Sequence, residues 1–210
     1  MPELQVPEAA ERDDLGAFVA RAVRLDAGVA VRLRHRDGRV EAWVDTPFDA
    51  LATRSVPGSV EPADLTVAGS DLLAALAVVG GAVMDPGHPR DLLWRSALPP
   101  EPGWHEVDEV PADVLAGLVD RGAAVARDNP GPKGNPPVSL LDQKVITISG
   151  AGFEVPVPLR CLFALSGMGF VGGHAAGETV RVSATDSWLR LDARYRAVLR
   201  RRHSLLPLLV

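Results

Sequence analysis

Residues 137–173 read PVSLLDQKVITISGAGFEVPVPLRCLFALSGMGFVGG, the densest apolar run of the chain. Lys144–Ser149 alternates Val145 and Thr147 against Ile146 and Ile148, the period of two that sends successive side chains to opposite faces of a strand. Gly150-Ala151-Gly152 supplies a turn, and Phe153–Val157 can return as the partner strand. Pro158 opens a helix where its missing N–H costs nothing. Leu159, Leu162, Phe163 and Leu165 follow at helical spacing, and Gly167 and Gly169 stop it. A local hairpin leading straight into a helix sets the expectation for the whole chain.

The same grammar recurs on the N-terminal side. From Glu8 an amphipathic helix is predicted, with Leu15, Phe18, Val19, Ala22 and Val23 on one stripe. Val29–Arg36 and Arg39–Asp45 then alternate around Asp37-Gly38, a dipeptide suited to a two-residue hairpin turn because both positions need φ > 0. That register puts Val31, Leu33 and His35 on one face with Val40, Ala42 and Val44. On the other it sets Arg34 against Glu41 as an ion pair and Arg32 against Trp43 as a cation–π neighbour. Phe48–Val56 reads as a third strand. Ser70 is an N-cap for a helix over Asp71–Val79, ended by Gly80-Gly81 and apolar nearly all round, so burial between layers is expected.

On the C-terminal side, Pro111–Arg127 is predicted helical, with Val114, Leu115, Leu118 and Val119 inward, and Asn129–Pro137 is a linker. Thr179–Ala184 and Ser187–Ala193 form a second hairpin. A turn at Thr185-Asp186 would oppose Arg181 with Arg190, and Ser183 with Trp188. These elements predict an α+β protein with two small antiparallel sheets built from local hairpins and helices packed on them. The expected division is an N-terminal unit over 1–85, an irregular Pro-rich junction over 86–110, a C-terminal unit over 111–204 and an apolar tail over 205–210.

Bulk properties narrow the function. The chain has 210 residues, 47% hydrophobic and 23% charged, enough to bury a real core. A net charge of −5 disfavours nucleic acid as a partner. The one cysteine, Cys161, rules out an intrachain disulfide, and the acidic N-terminus does not read as a signal peptide. No run approaches the roughly 18 apolar residues of a membrane-spanning helix. A cytoplasmic protein without a membrane span is expected.

Chemistry-bearing motifs are few. Gly167–Gly172 matches the letters of G-x-G-x-x-G, but a helix precedes the glycines and none is predicted after them, so it reads as a helix stop. Gly131–Asn135 lacks the spacing and the Lys-Ser/Thr of a phosphate loop. Cys161 sits among Leu159, Leu162 and Phe163, where a cysteine behaves as a small apolar residue. The five histidines, His35, His88, His105, His174 and His203, make no ligand pair, so no metal or cofactor is expected. Asp85, His88 and Asp91 share the Pro-rich loop and are the weak candidates for a catalytic group. Glu106, Asp108 and Glu109 lack the spacing of a calcium loop.

The basic C-terminal end is the stronger feature. Arg181, Trp188 and Arg190, followed by Arg200, Arg201 and Arg202, make a candidate anion-binding face. A solvated face, or one satisfied by the acidic 101–120 segment, is the alternative. With acidic and basic segments segregated along the chain, the leading expectation is a non-catalytic protein acting through self-association or a protein partner. An anion or nucleic-acid binder using the arginine face is the first rival, and an enzyme with its site at Asp85, His88 and Asp91 the second.

Overall fold

The structure is a computed structural model that describes residues 1–78, 81–131, 135–171, 177–193 and 196–202. His174, His203, Lys133, Gly172-Gly173 and the apolar tail lie outside the described residues. In chain order the elements are β1 (Glu3–Gln5), α1 (Ala9–Leu25), β2 (Ala30–Arg36), β3 (Arg39–Thr46), β4 (Ala50–Pro57), β5 (Ser59–Glu61), β6 (Asp64–Ala68), α2 (Gly69–Ala77) and β7 (Val83–Met84). A 3-10 turn at Asp91–Leu93 precedes β8 (His105–Pro111), α3 (Ala112–Asp128), α4 (Val138–Leu141), β9 (Lys144–Gly150), β10 (Phe153–Pro158), α5 (Leu159–Gly167), β11 (Thr179–Ala184), β12 (Trp188–Ala193) and β13 (Arg196–Arg201).

The fold is α+β with antiparallel sheets. The two hairpin-built sheets merge into one of eight strands, in the order β6-β2-β3-β4-β13-β12-β11-β8. The seam is β4 against β13, with Arg54 opposite Arg196 and Leu51 opposite Leu199. Small sheets of β5-β1-β7 and β10-β9 stand apart. Residues 50–54 of β4 are all buried, as befits a central strand covered on both faces.

One face of the large sheet packs under α1 and α5. Leu15, Phe18, Val19, Leu162 and Leu165 meet Val31, Leu33, Val44, Val182, Leu191 and Val198 in a continuous core. Phe18 stacks on Phe170. The opposite face carries a second cluster of Trp43, Leu51, Trp188, Ala197 and Leu199, roofed by Trp94, Leu98 and Trp104. All four tryptophans of the chain therefore lie on that face. The Pro-rich segment acts as a strap across it: Trp94 Nε1 donates to Ser96 O within the strap, and Ser96 Oγ donates to Asp45 of β3.

The first hairpin has the predicted register, with Arg34 opposite Glu41 and Arg32 opposite Trp43. Asp37 and Gly38 adopt φ of 48° and 72°, as that turn requires. The side-chain pairings differ from those expected. Arg32 donates twice to Asp64 on β6 and stacks over Trp94, while Arg34 reaches Asp64 and Glu101. Long arginine stems lean towards the nearest carboxylate rather than the residue directly opposite. His35 is exposed rather than sharing the core face's burial.

The second hairpin turns one residue later than predicted. Thr185 N–H donates to Trp188 O, and its hydroxyl accepts from the amides of Ser187 and Trp188, so Asp186-Ser187 is the turn. Arg181 therefore opposes Asp192, and Ser183 opposes Arg190. A turn centre moved by one residue moves the pairing by two, so the faces survive and Val180, Val182, Leu189 and Leu191 are buried as expected.

Four further expectations are corrected. The α2 helix buries only Gly69 and Leu72 against α1 and leaves the rest half-buried or open, and Ser70 is inside the helix rather than its cap. Val114 of α3 faces solvent. His105–Pro111, read as irregular, is the edge strand β8, paired to β11 with Val107 and Val110 buried.

Candidate functional site

The Asp85, His88 and Asp91 candidates do not converge. Asp85 accepts the Gly87 amide as a loop lock, and His88 is exposed. Asp91 accepts the Thr66 N–H of edge strand β6 at 2.7 Å, while the Arg90 amide donates to Thr66 O at 2.7 Å. The strap thus caps the backbone groups of an otherwise open edge. Cys161 is buried, and burial pushes its thiol up to about 12, a value at which no thiolate nucleophile exists near neutral pH. Among the described residues no three His, Cys, Asp or Glu side chains gather to hold a metal ion, and no helix is long and apolar enough to cross a membrane.

The arginine candidates divide between two places. Arg181 and Arg190 lie on the strap side of the sheet in a groove of about 520 Å³ that also holds Trp104, Glu106, Glu109 and Asp192. Arg181 meets Glu106 at 3.2 Å and Glu109 at 3.7 Å, across the β8–β11 ladder. Arg190 pairs with Asp192 at 2.7 Å and stacks over Trp104. Two arginines against three carboxylates leave no excess positive charge for an anion. Trp188 is 5% exposed and forms part of the strap-side core.

Arg200, Arg201 and Arg202 meet instead at the end of β13, in a groove of about 470 Å³. Leu189, Pro156 and Pro158 give it apolar walls, and Lys144 and Asp142 complete the lining. The cations are held differently. Arg200 pairs with Asp49 at 2.9 Å, and Asp142 is engaged by Arg160 from α5 at 2.5 Å. Arg202 donates to the carbonyls of Thr185 and Glu154, which fixes its position without neutralising it. Arg201 lies over Trp188, 5.8 Å from the ring centroid. Among the described residues no carboxylate pairs with Lys144, Arg201 or Arg202. Sequence reading named the arginines but missed Lys144, Pro156 and Pro158, because the β9–β10 hairpin reaches the groove only through tertiary packing.

A third grouping also escaped the sequence. Arg54 of β4, 5% exposed, points under α1 and is joined to Asp14, with Glu11 at 3.9 Å. Its cross-strand neighbour is Arg196.

The family model of the domain of unknown function DUF8185 matches residues 99–205, and that of the domain of unknown function DUF8010 matches residues 1–96. None of the curated proteins matches the sequence. Solved structures that this chain resembles include DNA polymerase sliding clamps. A putative DNA polymerase III β subunit from Eubacterium rectale superposes with a TM-score of 0.63 at 10% identity, covering 97% of this chain and 66% of that one. The sliding clamp of Caulobacter crescentus gives 0.59 at 12% identity, with 98% and 66% covered. The clamp of Bartonella birtlesii bound to griselimycin gives 0.55 at 12%, with 96% and 65% covered. The chain thus spans slightly less than two thirds of each clamp, and at these identities the likeness is one of fold.

Proposed function

The chain belongs to the DUF8185 family, and from that premise we propose that it is a non-catalytic interaction protein whose groove at the end of β13 docks an acidic, apolar segment of a protein partner. One observation carries this reading: a groove with apolar walls and three cations unmatched by carboxylates, in a chain whose net charge is −5. The groove suits a ligand that contributes both a hydrophobic side chain and carboxylates. Pro156 and Pro158 have no amide to offer, and Arg202 occupies the Glu154 carbonyl. Recognition through side chains is therefore favoured over addition of a strand to β10.

A protein ligand is favoured over nucleic acid by the helices. On α1, Glu11, Asp13 and Asp14 balance Arg12, Arg21 and Arg24. On α3, Asp113, Asp120 and Asp128 outnumber Arg121 and Arg127. Such faces offer no continuous positive track for phosphates. Another protein is favoured over a second copy because the strap blunts the β6 edge.

Fluorescence anisotropy tests this with a labelled peptide alternating Leu with Asp and Glu, compared with the same peptide carrying Lys in place of the acids. The acidic peptide should bind, weaken as salt rises, and lose most of its affinity to protein carrying Lys144→Glu and Arg201→Glu. Equal binding of both peptides, or binding unchanged by the two substitutions, would remove the groove from the account. Light scattering should give a mass near 22.2 kDa for the free protein.

A further inference from the structure

Two arginines face each other across the seam of the large sheet, Arg54 on β4 and Arg196 on β13. Like charges directly opposed destabilise a sheet unless negative charge lies between them. Asp14 and the more distant Glu11 serve Arg54, whose Nε nonetheless remains buried without a hydrogen-bond partner among the described residues. Arg196 pairs with no carboxylate among the described residues, and Glu178 and Asp14 act on it only at a distance. Its Nη1 donates to Gly169 O at 3.3 Å, and its guanidinium lies over Phe170.

A third arginine arrives from the helix above. Gly169 has φ of +67°, and a Cβ built there would lie 2.6 Å from Arg21 Nε and 3.0 Å from its Cζ. The missing side chain at 169 is what lets the Arg21 guanidinium approach. Arg21 and Arg196 thus both touch residue 169, with no carboxylate at ion-pair distance from either among the described residues. Burial, followed by repulsion from Arg54 and Arg21, lowers the Arg196 pKa, as expected where positive charge is under-compensated. Beside Arg196 opens a cavity of about 240 Å³ whose walls include Phe170, Glu178, Thr179 and Ala193.

We propose that Arg21 and Arg196, which meet at residue 169, form a receptor for a phosphate group. One guanidinium fork from a helix and one from a strand can grip a tetrahedral oxyanion from two sides, and each donates charge-assisted hydrogen bonds, while Arg54 behind them adds positive potential. The anion supplies the negative charge that Arg21 and Arg196 lack, and ties α1 to the start of β13. The site lies at the start of β13, four to six residues and roughly 13–20 Å along the strand from the arginine groove at its end, so either can fail alone.

Isothermal titration of the intact protein with inorganic phosphate, at fixed ionic strength in chloride, tests the site. One phosphate per chain is expected, with thermal unfolding shifted upward. Arg21→Ala removes a helix side chain without touching the sheet, and Arg196→Lys keeps the charge while losing the fork. Each should weaken phosphate about tenfold or more. No binding, or binding unaffected by both variants, would overturn the proposal. A short single-stranded DNA that displaces phosphate and loses affinity in the same variants would place the phosphate on a nucleic-acid backbone. Failure to displace would assign the site to small phosphates.

Discussion

Asp91→Ala separates a structural carboxylate from a chemical one. The Thr66 amide that Asp91 accepts belongs to a residue only 2% exposed. Removing the acceptor leaves a buried N–H without a partner, at a cost of about 1–3 kcal/mol. If β6 and the strap open locally, exchange of the Thr66 amide should accelerate by about 5- to 150-fold. The midpoint of urea unfolding should fall by roughly 1 M. Asp91→Asn keeps a carbonyl oxygen in place and discards only the charge, so it should recover most of the lost protection. Hydrogen exchange read by mass spectrometry over β6 reports the local effect, and tryptophan fluorescence reports the strap, since Trp94 follows the 3-10 turn. The reasoning is refuted if the Thr66 amide stays protected in Asp91→Ala, or if Asp91→Asn is as damaging as alanine. The second result would mean that the charge, through Arg32, is what matters.

Other outcomes follow from the same geometry. Cys161 should resist iodoacetamide at pH 8 in the native protein and react readily in urea, because burial holds its thiol near 12. Trp188→Ala empties the centre of the strap-side cluster and should cost about 3–5 kcal/mol, read by chemical denaturation. Burial raises the Asp45 pKa, against the opposing effect of its hydrogen bond from Ser96. Its protonated form is thus favoured by folding. This stability contribution is full below the ordinary carboxylate range and is lost as pH rises through the raised value. Asp45→Asn should flatten that part of the pH–stability profile.

What was legible in the sequence was local. Asp37-Gly38 sets one hairpin by itself, and Gly150–Gly152 with Pro158 sets another and the helix after it, because neighbouring residues decide those geometries. The β4–β13 seam joins Arg54 to Arg196, more than a hundred residues apart, and no periodicity encodes such a pairing. β8 was missed because HEVDEVP buries only Val107 and Val110, while its acids meet Arg181 on the neighbouring strand. The turn at Asp186-Ser187 depends on the Thr185 hydroxyl, a side-chain contact that a dipeptide rule does not see. The candidate groove was half legible for the same reason: its arginines are consecutive, whereas Lys144, Pro156 and Pro158 come from another hairpin.

The seam also bears on how this chain could have been assembled and how it can be cut. The two family models meet between residues 96 and 99, inside the strap, which makes that point look like a natural place to divide the gene. Cutting there would bare β4 on one fragment and β13 on the other, each with a row of unpaired amides and carbonyls. It would also divide the roof, leaving Trp94 on one fragment and Trp104 on the other. Each fragment would be a seed for aggregation. Mixed together, the two would carry matching edges, so the chain behaves as a pair of mutually templating halves whose covalent link raises their local concentration.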